Sequence, residues 1–97
     1  MIVVSKNNTG LNITMVNVKS YNGYIVNLER MKSSASGNPR YTAEFLTDEG
    51  HTIHFCTAPD SFEGYEIVNY NKPDIHCCVE IGMYYGRLTL QSIISYN

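Results

Sequence analysis

Residues Asp74 to Tyr96 read DIHCCVEIGMYYGRLTLQSIISY, and this stretch alone commits the last quarter of the chain to two paired strands. Ile75, Cys77, Val79 and Ile81 alternate with His76, Cys78 and Glu80. After Met83-Tyr84-Tyr85-Gly86-Arg87 the alternation resumes with Leu88 and Leu90. Period-2 alternation on both sides of a glycine-containing turn is the pattern of an antiparallel hairpin with one face in a core. Two tyrosines and an arginine are unusual chemistry for a tip that faces water. The tip is therefore the first candidate binding surface.

The rest of the chain carries the same period. Leu11 to Met31 is strand-rich and broken at Ser20-Tyr21-Asn22-Gly23. Asn-Gly favours positive φ, which predicts either a hairpin here or one long strand bent at a bulge by Gly23. Lys32 to Pro39, KSSASGNP, is small, flexible and polar, and reads as a loop. Tyr41, Ala43 and Phe45 then alternate with Arg40, Thr42 and Glu44, a tight turn follows at Asp48-Glu49-Gly50, and Ile53 and Phe55 alternate with Thr52, His54 and Cys56. Ala58 to Lys72 is the least strand-like stretch. Pro59 with Asp60 or Ser61 predicts the start of a short helix with Glu63 near its first turn, and Gly64 keeps it short. Tyr65 to Tyr70 reads as a strand or a helical turn, and Met1 to Val4 as a short edge strand or an arm on a partner.

This order gives about five strands with one irregular connector between the third and fourth. At 97 residues the chain is one domain, with residues 1–10 as a flexible arm. The predicted core is Ile13, Val16, Val18, Ile25, Val26, Leu28, Phe45, Ile53, Phe55, Val79, Ile81, Leu88, Leu90 and Ile93. Such a set suits a small closed barrel, because a flat sheet of this length would expose edges and one apolar face. The expected class is all-β.

The order long bent strand, polar loop, hairpin, irregular connector, hairpin resembles an OB-fold. Cys77-Val-Glu-Ile-Gly-Met-Tyr-Tyr-Gly-Arg-Leu-Thr-Leu-Gln-Ser-Ile is similar to the fourth and fifth strands of OB-type single-stranded DNA-binding proteins. Phe45-Leu-Thr-Asp-Glu-Gly-His-Thr-Ile-His-Phe55 is similar to their second and third strands. The resemblance spans residues 11–96 and implies a five-stranded Greek-key barrel. It implies a ligand on the face of the second and third strands, between the loops at Lys32–Pro39 and Met83–Gly86. Arg30, Lys32, Arg40 and Arg87 would meet phosphates, Tyr84 and Tyr85 would stack on bases with Tyr21 or Tyr24 as further aromatic faces, and His54 would lie on the same surface. With Lys19 these cations are five of the seven basic residues. The implied activity is binding of single-stranded DNA, or of RNA by the same chemistry, with little sequence preference. The chain departs from the pattern in two ways. Glu44 sits on the implied face and repels phosphate, and tryptophan is absent. No acidic tail of the kind that recruits partners to many bacterial members follows the last strand. What is left is the minimal form that bacteriophages and plasmids encode, acting in replication or recombination. The Asn/Tyr/Ile-rich composition suits a mobile element.

The net charge of −2 carries no bulk signal for nucleic acid. Its distribution carries more. Residues 1–43 balance at +4, residues 44–80 at −7 and residues 81–97 at +1. One consequence is a positive patch on an acidic protein. The opposite consequence is an acidic working surface between Glu44 and Glu80, which makes a protein-interaction or inhibitor module of a mobile element the alternative function. A barrel this small exposes strand edges, and MIVV is placed to pair across one of them, so a homodimer is expected. Three cysteines, with no stretch resembling a signal or membrane-spanning segment, predict a cytoplasmic protein with reduced thiols and no membrane partner.

His54, Cys56, His76, Cys77 and Cys78 raise the question of zinc, since a strand places His54 with Cys56, and His76 with Cys78, on one face. The spacing holds no Cys-x2-4-Cys pair. In an OB barrel the third and fourth strands are also not neighbours, so the two pairs do not converge. Cys77 is expected in the core as a small hydrophobe and Cys78 partly exposed. A nucleophilic cysteine needs an electropositive site, whereas residues 44–80 are acidic. No paired carboxylates and no glycine-rich phosphate loop stand out. The expectation is a binding protein with no catalytic residues, no metal and no cofactor.

Overall fold

The computed structural model describes residues 2–6 and 12–95. These form β1 (Ile2–Lys6), β2 (Asn12–Arg30), β3 (Tyr41–Thr47), β4 (Thr52–Thr57), α1 (Glu63–Glu66) with a 3-10 turn at Ile67–Tyr70, β5 (Cys77–Tyr84) and β6 (Arg87–Ser95). Five strands close a ring in the order β2-β3-β4-β6-β5, with β5 pairing back on β2. Every neighbour pair in it is antiparallel except β4 with β6, which is parallel. This is a small OB-like Greek-key barrel, and its helical connector lies between the third and fourth barrel strands. β1 lies outside the ring along the start of β2, with Val3 opposite Met15. No helix among the described residues is long and apolar enough to cross a membrane.

β2 is what lets so short a chain close. It runs for 19 residues, about twice the length of an ordinary long strand, and serves two walls. Its first half pairs with β5 and its second half with β3, and Gly23 belongs to both ladders, opposite Cys77 and Thr47. Gly23 makes neither the hairpin nor the bulge expected from Asn-Gly, and its φ is not positive. It is there because a Cβ would lie 2.0 Å from the Leu46 carbonyl oxygen. The bulges fall elsewhere, at Val26 against β3 and at Asn17-Val18 against β5. Each inserts residues that the partner strand does not match, which bends β2 around the barrel.

The core holds Ile25, Ala43, Phe45, Phe55, Ile67, Cys77, Val79, Ile81, Leu90 and Ile93. A smaller cluster of Met15 and Ala58 is flanked by Val18 and Tyr84. Three predicted core residues are instead exposed. Val26 is 50% exposed because it is the bulged residue of β2, and Val16 and Leu88 stand at the end of the barrel beyond its closed part. The side chain of Ile13 lies outside the described residues. A third bulge, on β6, leaves Gln91 as the extra residue between the Glu80–Ser92 and Ile81–Leu90 pairs. That shift is why Leu90 and Ile93, three apart, both face inward.

α1 lies against β6 and buries Glu63 and Gly64. Burial raises the Glu63 carboxyl above its ordinary value of 4.5, and Glu66 adds to the effect. The folded protein therefore holds this proton more tightly than the unfolded chain, and stability falls as pH rises through that window. Glu63→Gln removes the penalty. It is expected to raise stability near neutral pH and to leave it unchanged in acid below the ordinary carboxylate range, as read from thermal melts at the two pH values.

Candidate nucleic-acid interface

Alternation along β3 and β4 sends Ala43, Phe45 and Phe55 inward and leaves Thr42, Glu44 and His54 facing out. The register sets Glu44 opposite His54 and Thr42 opposite Cys56. His54 Nε2 stands 3.7 Å from Glu44 Oε2, with the histidine side chain 73% exposed. Water screens this pair, and it carries opposite charges only when His54 is protonated, so its energy is small. Over this face runs a groove of about 510 Å³, lined among others by Glu29, Thr42, Glu44, His54, Arg87 and Leu88. The Cys56 thiol points to its side, donating to the Leu88 carbonyl at 3.6 Å.

The tip of the β5–β6 hairpin is a two-residue turn, Tyr85-Gly86, between the paired Tyr84 and Arg87. Both central residues have positive φ, 50° at Tyr85 and 74° at Gly86, the type I′ pattern that suits the twist of a hairpin. Glycine adopts it freely, whereas a tyrosine there is strained. The Tyr84 ring meets it edge-on at 4.6 Å, and at 89% exposure Tyr85 has little packing to offset this strain. Tyr84 is half-buried on the Met15–Ala58 cluster. The two adjacent tyrosines thus divide the roles, one closing the barrel end and one standing in water.

A second groove of about 400 Å³ is lined by Arg40, Pro59, Tyr84, Tyr85, Arg87 and Thr89, and it shares Cys56 and Arg87 with the first. The polar loop at 32–39, expected to face the hairpin tip across the cleft, contributes none of its lining residues and is tied to the connector instead. Ser34 Oγ donates to Asp60 at 2.5 Å and Asn38 Nδ2 donates to the same carboxylate at 2.7 Å. The Tyr65 hydroxyl donates to Asn38 Oδ1. The stretch that reads as flexible in sequence is pinned to the connector. The two hydrogen bonds hold the Asp60 carboxyl below its ordinary range, and the charge of Arg40 adds to this. Arg40 itself lines the groove, and its Nε is buried without a hydrogen-bond partner among the described residues.

Of the residues expected at this surface, Arg40, His54, Tyr84, Tyr85 and Arg87 line the two joined grooves. Arg30, Lys32 and Lys19 do not. The bulge at Val26 reverses the faces of β2 after it, so Leu28 and Arg30 take the barrel side, opposite Ala43 and Tyr41, and Asn27 and Glu29 take the groove side. The Arg30 guanidinium lies 5.6 Å from the centre of the Tyr41 ring and donates to Ser33 Oγ at 2.8 Å. Lys32 is exposed at the start of the loop. Lys19 lines a separate opening at the barrel end. Tyr24, considered as a stacking residue, lies against the His76 ring instead. Glu29 and Leu88 are among the lining residues that the sequence does not reveal. Glu29 depends on a bulge, and Leu88 reads as core by parity.

The sulfur and imidazole groups are dispersed. His76 Nε2 lies 2.9 and 3.1 Å from the two Asp48 carboxylate oxygens, at the far end of β3, while His54 faces Glu44. No group of three or more His, Cys, Asp or Glu among the described residues is arranged to hold a metal ion. Cys77 is fully buried and Cys78 half-buried. Burial pushes the Cys77 thiol up to about 11, which keeps it protonated and unreactive at neutral pH. In comparisons with known proteins, no family model, no curated protein and no solved structure matches the chain.

Proposed function

We propose that this protein binds single-stranded DNA with little sequence preference along the two joined grooves. One observation carries the reading: a tyrosine held in a strained left-handed turn, almost wholly in water, at a groove that two arginines also line. Strain of this kind gathers at ligand sites, and an exposed aromatic face beside cations is what a single strand requires. Bases stack on Tyr85, and phosphates meet Arg87 and Arg40. Glu29 on β2 and Glu44 on β3 line the wider groove away from Arg87 on β6, so the backbone runs on the arginine side, where Tyr85 takes a base.

Fluorescence anisotropy with labelled poly-dT and a duplex of equal length, at two salt concentrations, tests this. The single strand is expected to bind more tightly. Each phosphate contact contributes a slope of about −0.7 in log affinity against log salt, so the two arginines together give about −1.4 and Arg87→Met lowers it by about 0.7. Salt-independent binding, or no anisotropy change with poly-dT at low salt, rules the proposal out.

The two carboxylates in the groove, with the acidic turn at Asp48 and Glu49, favour a second reading in which a basic protein partner is held by this acidic surface. The same titration separates the two. Asp48→Lys with Glu49→Lys leaves DNA affinity intact or raises it under the first reading, and under the second it abolishes partner binding.

A further inference from the structure

The barrel is closed unevenly, and its weak side holds a second opening. β4 and β6 pair at only two rungs, Cys56 with Thr89 and Thr57 with Leu90. The start of β4 is therefore left uncovered on that side, and an opening of about 180 Å³ enters there, lined by Asn17, Lys19, Tyr21, Ile53, Ile81, Met83 and Leu88. Its walls are apolar apart from one asparagine, one tyrosine and one cation. That cation is put there by the bulge at Asn17-Val18. An unbroken ladder running on from the Val16–Met83 pair would set Lys19 opposite Glu80, an opposite-charge pair on the outer surface. With the bulge, and Asn17 at a φ of 55°, Lys19 instead lies opposite the core residue Ile81, and Ser20 takes the place across from Glu80. Directly opposed residues share a face, so Lys19 stands on the barrel side at the opening. Bulges recur where a side chain must be re-aimed, and this one gives up a cross-strand ion pair to do so.

Leu88 is 44% exposed and lines both this opening and the groove over β3 and β4. A strand that leaves Arg87 and passes Leu88 arrives at Lys19. We infer that the opening takes one base of that same strand against Leu88, Met83 and Tyr21, with the adjoining phosphate on Lys19. This rests on the single-strand reading of the grooves and adds a terminal subsite to it. At about 180 Å³ the opening has room for one base-sized group.

Anisotropy titrations with oligo-dT from about four to about sixteen nucleotides, the range of site sizes on such barrels, test it on wild type and Lys19→Met. Lys19 is exposed, and circular dichroism checks that the variant folds. Both proteins are expected to bind the shortest oligomers equally. Above a threshold length wild type gains about three- to tenfold more affinity than Lys19→Met. Over the same lengths the variant's salt slope is smaller by about 0.7. Thymidine monophosphate alone is expected to bind neither protein detectably. A loss in Lys19→Met that is equal at all lengths, or no loss at any length, overturns the inference. So does monophosphate binding that depends on Lys19 without any length effect, because the opening would then take a free nucleotide. If wild type binds no oligomer at any salt concentration, the reading of the grooves has failed and the inference falls with it, a result read from the wild-type arm alone.

Discussion

Gly23→Ala is expected to destabilise the fold by at least about 3 kcal/mol, enough to leave much of a marginal domain unfolded at 37 °C. The added Cβ would sit 2.0 Å from the Leu46 carbonyl oxygen and 2.9 Å from both the Leu46 carbonyl carbon and the Thr47 Cα. All three are backbone atoms in a paired strand, so none can turn aside as a side chain would. Relief requires β2 and β3 to separate at the point where β2 also pairs with β5, and both ladders are lost together. Gly50→Ala is the control. It has nothing within 4 Å of its Cβ and only a φ of 91° to disturb, so it costs on the order of 1 kcal/mol. Urea melts of the two variants check the difference. Equal effects would show that β2 does not pass so close to β3.

Tyr85→Asn is expected to do the reverse, raising stability and weakening binding. Asparagine tolerates left-handed backbone and forms with Gly86 the preferred type I′ pair. Relief of strain gains about 1–2 kcal/mol. Against it stands the lost edge-on contact with Tyr84, worth about 0.5–1.5 kcal/mol and at the low end here because the ring is so exposed. The net is a gain of about 0.5–1.5 kcal/mol, or a few degrees in melting temperature. Removing one stacked base costs about 1–3 kcal/mol of affinity, roughly 5- to 150-fold by anisotropy with oligo-dT. A stabilised variant that binds DNA as wild type does would remove the observation on which the functional reading stands. A destabilised variant would mean that Tyr85 has a packing role its exposure conceals.

The hairpins were the most legible part of the chain. Cys77, Val79 and Ile81 face inward as their alternation implies, and the β3–β4 turn falls at Asp48-Glu49-Gly50. The connector is a short helix carrying Glu63 in its first turn. Both follow from local chemistry: a half-buried strand needs period 2, and proline and glycine punctuate helices. The candidate site was legible to the extent that it lies on those elements, as Arg40, His54, Tyr84, Tyr85 and Arg87 do.

β2 was not legible in the same way. Period 2 assigns faces only as far as the next bulge, and a bulge is a property of two strands in register. Val26 and Asn17-Val18 carry no local mark that sets them apart from their neighbours. One bulge exchanges Arg30 for Glu29 at the groove, and the other takes Lys19 from beside Glu80 to beside Ile81. The sequence by itself determined which segments are strands, where the chain turns and which side chains of the short strands face inward. Only the tertiary structure decided which cations reach the grooves, because barrel closure forces one long strand to bend twice, and each bend reverses the faces of everything beyond it.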